Sequence, residues 1–130
     1  MNSRVFVKLR INSDMHAAEE ITSLVGMAAD RSWASGDPKK NGKGKHRSNG
    51  WEVHSDLPPE DDLEAHLDNL LSKLEGCSDN ISRLPEGMGV MLSCAVYSDY
   101  NPELYFTSEQ VVRIAALRAE FDIDVYAIDD

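Results

Sequence analysis

From Arg4 to Ile11 the chain runs RVFVKLRI, with Val5, Val7, Leu9 and Ile11 apolar and Lys8 and Arg10 charged between them. A two-residue period is that of a strand with one buried face, so the chain is predicted to open on one. The period then changes. In NSDMHAAEEITSLVG the apolar Ala17, Ile21, Leu24 and Val25 follow helical spacing, Ser13 or Asp14 stands where an N-cap belongs, and Gly26 stands just past the end. A helix of about three turns is expected there. Residues 27–50 show no regular period, an unusual length for a connection inside a compact domain.

WEVHS, residues 51–55, follows as a short strand. LPPEDDLEAHLDNLLSKLEG opens on prolines and acids suited to a helix N-terminus, carries Leu63, His66, Leu67, Leu70, Leu71 and Leu74 at helical spacing, and closes on Gly76. One of its faces belongs to a core and the other is strongly acidic. A turn of helix near Ile81 and Leu84 precedes the break at Pro85 and Gly87. MGVMLSCAVY, residues 88–97, is apolar on both faces, as a central strand is. SDYNP then forms a turn and LYF a short strand. TSEQVVRIAALRAEF forms a helix whose Thr107 and Gln110 have capping-box spacing. In FDIDVYAIDD, Phe121, Ile123, Val125 and Ala127 alternate with Asp122, Asp124 and Tyr126, a last strand with one wet face.

This order predicts an α+β domain: a mixed sheet of about four to five strands with helices packed on one face, in a ferredoxin-like arrangement with an added helix. The 130 residues make a single domain, 1–130, with a long basic loop at about 27–50.

Charge separates the loop from the rest. Residues 31–50 hold six Lys or Arg against Asp37, so the remaining chain holds seven basic residues against 22 acids. A body this acidic argues against nucleic acid and against anionic membrane surfaces, which need broad cationic faces. It favours a basic protein partner. Cys77 and Cys94 lack the short paired spacing of a zinc or redox motif and are expected as buried thiols in a reducing compartment. Charges at Arg4, Lys8 and Arg10 interrupt any signal-peptide core, and no segment is apolar for long enough to span a bilayer, so a cytoplasmic protein is expected.

Several stretches together, EEITSLVG, RSWASGDP, Trp51 with VHS after it, LEAHLDNLLSKLE, LSCAVYSD and FDIDVYAI, resemble a bacterial family of domains of unknown function, DUF4279. The resemblance covers nearly the whole chain. It implies a small standalone domain and carries over no catalytic residue. The chain departs from it at residues 27–30, MAAD, where the resemblance implies a proline.

GDPKKNGKGKHR suggests a phosphate-binding loop, yet Gly36 and Gly42 are separated by five residues, Lys43 is followed by Gly44 rather than a hydroxyl residue, and no helix follows. That motif fails. His16, His46, His54 and His66 do not have the spacing of a metal site, and no metal or cofactor is implied. Histidines paired with nearby acids are expected instead. The acids of EDD and FDID have structural reasons at a helix start and on a wet strand face.

Trp33 and Trp51 flank the basic segment, and each can bury about 150–250 Å². They are expected to anchor its base. Six exposed ion pairs would give a few kcal/mol at about 0.2–1 kcal/mol each, against roughly 12–24 kcal/mol to order a dozen backbone residues, so residues 39–49 are expected to stay mobile.

Two functions fit these features. One is a non-enzymatic interaction domain of inhibitor or immunity type, engaging a basic protein through Glu60, Asp61, Glu64 and Asp68. The other is a small-ligand binding module, or an enzyme, with Arg31, Trp33, Asp37, Trp51 and His54 around a pocket.

Overall fold

A computed structural model describes residues 3–128. Five strands form one mixed sheet: β1 (Ser3–Ser13), β2 (Arg31–Trp33), β3 (Asn49–His54), β4 (Gly89–Ser98) and β5 (Glu120–Ala127). The helices are α1 (Ala18–Val25), α2 (Leu63–Leu74), the single turn α3 (Ser78–Ser82) and α4 (Ser108–Ala116). The class is α+β, as the periods predict. The strand order is β2-β3-β1-β4-β5, with β4 and β5 parallel and every other pair antiparallel.

β3 and β4 both run antiparallel to β1 and lie on either side of it, so the connection through α2 is a split β-α-β unit of the ferredoxin-like kind. β1 is therefore central, and its alternation decides what each face of the sheet carries. Val5, Val7, Leu9 and Ile11 are buried with Trp51, Val53, Leu92, Cys94 and Val96 beneath the helices. From the helices come Ile21 and Val25 of α1, the leucines of α2, Ile81 of α3 and Ile114 of α4. Lys8 and Arg10 point to the opposite face, which no helix covers.

α2 starts where Asp62 accepts the Ala65 amide at 2.8 Å, and at Leu74 it tightens into a 3-10 turn through Gly76. α4 carries the capping box, with Thr107 Oγ1 accepting the Gln110 amide at 3.1 Å and Gln110 Oε1 accepting the Thr107 amide at 3.0 Å. α1 differs from its expected start. Pairing with Asn49 carries β1 on to Ser13, whose hydroxyl accepts the Met15 and His16 amides instead of capping the helix. Ala17 becomes the N-cap residue, and Gly26, at φ 84°, closes the helix with its amide on the Thr22 carbonyl.

LYF, residues 104–106, is not a strand, because β1 and β5 occupy both edges of β4. α4 stops at Ala116, and Arg118, at φ 56°, turns the chain so that β5 can run parallel to β4. β5 is exposed on both faces more than its alternation predicts: Phe121, Val125 and Tyr126 are all at least 40% exposed. Asp129 and Asp130, read with this strand, lie outside the described residues.

The long loop holds the largest departure. RSW is a strand, β2, paired with β3 so that Arg31 faces Glu52 and Trp33 faces Gly50. Residues 34–48 then fold back as a small arm. Pro38 pairs with Lys45, the Gly36 amide donates to the His46 carbonyl, and the Lys39 amide donates to the Gly44 carbonyl. The tip expected to be mobile is thus hydrogen-bonded to itself. Ion pairs do not hold it, since Lys39, Lys40, Lys43, Lys45 and Arg47 make none among the described residues. The His46 ring stacked on Trp33 at 4.4 Å supplies what charge could not.

Candidate functional site

On the uncovered face, Glu52 of β3 is the one carboxylate among several cations. Strand parity puts Trp51 and Val53 into the core and turns Glu52 and His54 outward. Glu52 is nevertheless 1% exposed, because the side chains around it close over it. Arg10 donates from Nε at 2.7 Å and pairs through its terminal nitrogen at 2.6 Å, and His54 Nε2 lies 3.0 Å from Oε1. Lys8 Nζ approaches to 3.5 Å and an Arg31 nitrogen to 3.7 Å.

Three permanent cations share a single carboxylate. Burial alone would push the Glu52 carboxyl up, but the His54 hydrogen bond and the charges of Lys8 and Arg10 hold it below the ordinary glutamate value. Burial, together with Arg10 and Arg31 nearby, holds Lys8 below the ordinary lysine value despite the pull of Glu52. Among the described residues Glu52 is the only carboxylate in ion-pair range of Lys8, Arg10 and Arg31, so the cluster carries net positive charge.

Trp33 fixes the two arginines. Their guanidinium carbons lie 5.4 Å (Arg10) and 4.6 Å (Arg31) from the indole centre, and the indole is only 8% exposed. Its other contact is the His46 ring, held below the ordinary histidine value by desolvation and by Arg31, Lys39 and Arg10. Held between Glu52 and an aromatic face, the guanidinium groups lose little freedom when an anion arrives.

The cluster opens into a groove of about 680 Å³ that runs across the sheet from Arg31, Lys40 and His54 to Tyr97, Tyr126 and Asp124. Asp124 borders the far end on β5, and Asp122 lies beside it on the same strand face. The Asp122 carboxyl lies above the ordinary aspartate range, first through its hydrogen bond with Asp124 and then through desolvation. Beyond His54, Asp30 accepts the His54 amide at 2.8 Å and pairs with Lys73 at 3.2 Å, which ties β3 to α2.

Of the five pocket residues expected from sequence, Arg31 and His54 line the groove, and Trp33 packs against Arg31 without lining it. Trp51 does neither. It is fully buried on the other face, where its indole N–H donates to Thr22 Oγ1 of α1 at 3.0 Å. Asp37 shapes the arm, its carboxylate accepting the Ala34 amide at 2.9 Å, and does not line the groove. Sequence reasoning missed Lys8, Arg10 and Glu52. The signal was present in the alternation of WEVH, which pairs Glu52 with His54, and of VKLR, which pairs Lys8 with Arg10.

Glu60, Asp61 and Glu64 are exposed and make no ion pair among the described residues. Asp68 accepts a 2.8 Å hydrogen bond from the buried Gln110 of α4, which ties it to the helical layer. His66 is buried rather than paired with an acid, its nitrogens 2.8 Å from Ser55 Oγ and 2.9 Å from the Pro58 carbonyl. His16 does pair with an acid, Glu20, at 2.8 Å. Both cysteines are free and buried, and burial followed by the charge of Asp122 pushes the Cys94 thiol up to about 12. Among the described residues no group of three or more His, Cys, Asp or Glu could hold a metal, and no helix is long and apolar enough to cross a membrane.

The family model described as domain of unknown function DUF4279 matches residues 3–128. No curated protein and no solved structure matches the chain.

Proposed function

For a chain that belongs to the DUF4279 family, whose description assigns no activity, we propose a small-ligand binding domain that holds an anionic group on the uncovered face of its sheet. One observation carries this reading: Lys8, Arg10 and Arg31 converge on one buried carboxylate, leaving positive charge at the head of a groove in an otherwise acidic protein. The acidic surroundings repel anions in general, so the cluster selects those small enough to enter the groove.

Titrating inorganic phosphate and acetate into the protein while following thermal unfolding tests it, since a bound anion raises the melting temperature with concentration. Replacing Lys8→Met and Arg31→Gln together is expected to weaken the anion about ten- to a hundredfold, in keeping with about 1.5–3 kcal/mol for a charged hydrogen bond. A wild-type protein that binds neither anion at millimolar concentration would refute the reading.

The exposed, unpaired acids of α2 favour a second reading, a basic protein bound by Glu60, Asp61 and Glu64. Here the expected outcome is an association rate that falls steeply as salt rises, and that drops in a Glu60→Gln, Asp61→Asn, Glu64→Gln variant. Unchanged association with a captured basic partner in that variant would refute it.

A further inference from the structure

Cationic side chains line one end of the groove, and aromatic ones line the other. Between Met91 and Tyr97 the open face of β4 carries Ser93 and Ala95, whose small side chains leave a depression in the middle of the sheet. Lys8 stands opposite Ser93, and Phe6 stands opposite Ala95. Phe6 meets Tyr97 edge-on at 6.0 Å, and Tyr97 stacks on Tyr126 at 4.7 Å. Phe6 and Tyr126 are each 45% exposed, so a continuous aromatic surface stays in water across β1, β4 and the edge strand β5.

Phe6 and Tyr97 meet at a right angle beside the small-residue floor and form an aromatic corner against which a flat ring can pack, with Phe6 the more exposed wall. Resting on the anion site proposed above, we infer that the ligand is a small aromatic acid: one ring joined through a short linker to a carboxylate or phosphate. The anionic group meets Lys8, His54 and Arg31, and the ring lies over Ala95 against Phe6 and Tyr97.

The spacing sets the length of the linker. Lys8 and Phe6 are two residues apart on β1, about 7 Å along the strand, which is the span of a ring plus one or two bonds and an oxyanion. Asp124 stands opposite Ala95 on β5, and Arg4 lies over the Tyr97 ring at 5.6 Å farther along β1. The ring end thus carries one acid and one cation, and a neutral hydrogen-bond donor on the ring fits beside Asp124.

Calorimetric titration of phenylacetate, phenyl phosphate, acetate and inorganic phosphate into the full chain tests the inference. Each phenyl compound is expected to bind at least about tenfold more tightly than its counterpart without a ring, because the ring stacks on an aromatic side chain. Comparing phenylacetate with phenyl phosphate shows which oxyanion the site prefers. Phe6→Leu should reduce the phenyl preference and leave acetate and phosphate affinity unchanged, and Tyr126→Leu, which removes the ring that holds Tyr97 in place, should reduce it to a smaller extent. Both positions are half exposed, and circular dichroism verifies that each variant is folded. Equal affinity for phenylacetate and acetate would overturn the aromatic class and leave the anion site standing. Absence of binding by all four would overturn both. Self-association that Phe6→Leu abolishes, without any phenyl preference, would assign the aromatic surface to a second copy and overturn the inference.

Discussion

A Gly50→Ala protein is expected to lose about 3 kcal/mol of folding stability, at the upper end for overpacking a filled site, and to release the arm of residues 34–48. Gly50 faces Trp33 across the β2-β3 pair, and an added Cβ would come within 2.0 Å of Cε2 and Cζ2 of the indole. The backbone at Gly50 is not left-handed, so the indole alone demands glycine here. Alanine leaves two outcomes: the strands separate, or Trp33 swings out and loses His46, Arg10 and Arg31 together. Either way the arginines lose their aromatic support. Tryptophan fluorescence should shift to the red by the contribution of one indole, because Trp51 stays buried under α1. Urea unfolding measures the loss. Adding Trp33→Ala to Gly50→Ala should cost less than the two single changes summed, since removing the indole removes the clash. Strict additivity would show that the two residues do not meet.

A Glu52→Gln protein should lose about 3 kcal/mol as well, toward the low end for breaking a buried ion pair because its cations are themselves partly exposed. Glutamine keeps the size of the side chain and removes the charge that offsets Lys8, Arg10 and Arg31. The loss depends on pH in a definite direction. Because the folded carboxyl sits below its ordinary value of 4.5, its stabilisation is complete above that value and disappears as pH falls through the folded value. Wild type and Glu52→Gln should therefore differ most well above 4.5 and converge in stronger acid. Anion binding should move the opposite way. With its competitor gone, the cationic cluster should hold phosphate or a carboxylate more tightly while the fold weakens. Weaker binding would instead make Glu52 a positioning group for the ligand and not a counter-charge.

Every strand on the core side is legible in the hydrophobic pattern of the sequence. RVFVKLRI and WEVH each separate a buried face from an open one, whereas MGVMLSCAVY, apolar on both sides, shows a central strand without showing that its Ser93 and Ala95 side opens to solvent. β2 is different. Three residues, RSW, have too few positions to show a period, and only pairing with β3 makes them a strand. The arm is also invisible to local reasoning, because its support is a ring stack between Trp33 and His46 across thirteen positions of chain.

The two tryptophans show the same division. Both bury their indoles, as their size demands, but strand parity sends Trp51 to the core and Trp33 to the open face. Treating them as one pocket overlooked that Trp51 pairs with Ser32 and not with Trp33. Parity also explains why Glu52 and His54 share a site. Lys8, Arg10 and Glu52 lie on strands forty or more residues apart, and the β1-β3 register that joins Arg10 to Glu52 is set by the whole sheet.

β5 leaves one margin of the sheet with main-chain groups that no neighbouring strand occupies. An open margin is where like chains add to one another and grow into aggregates. Glu120, Asp122 and Asp124 occupy alternate positions along it, so a second copy laid alongside would set carboxylate against carboxylate. Asp124, which borders the groove at its far end, thus also belongs to a row of charge that opposes strand addition along the seam.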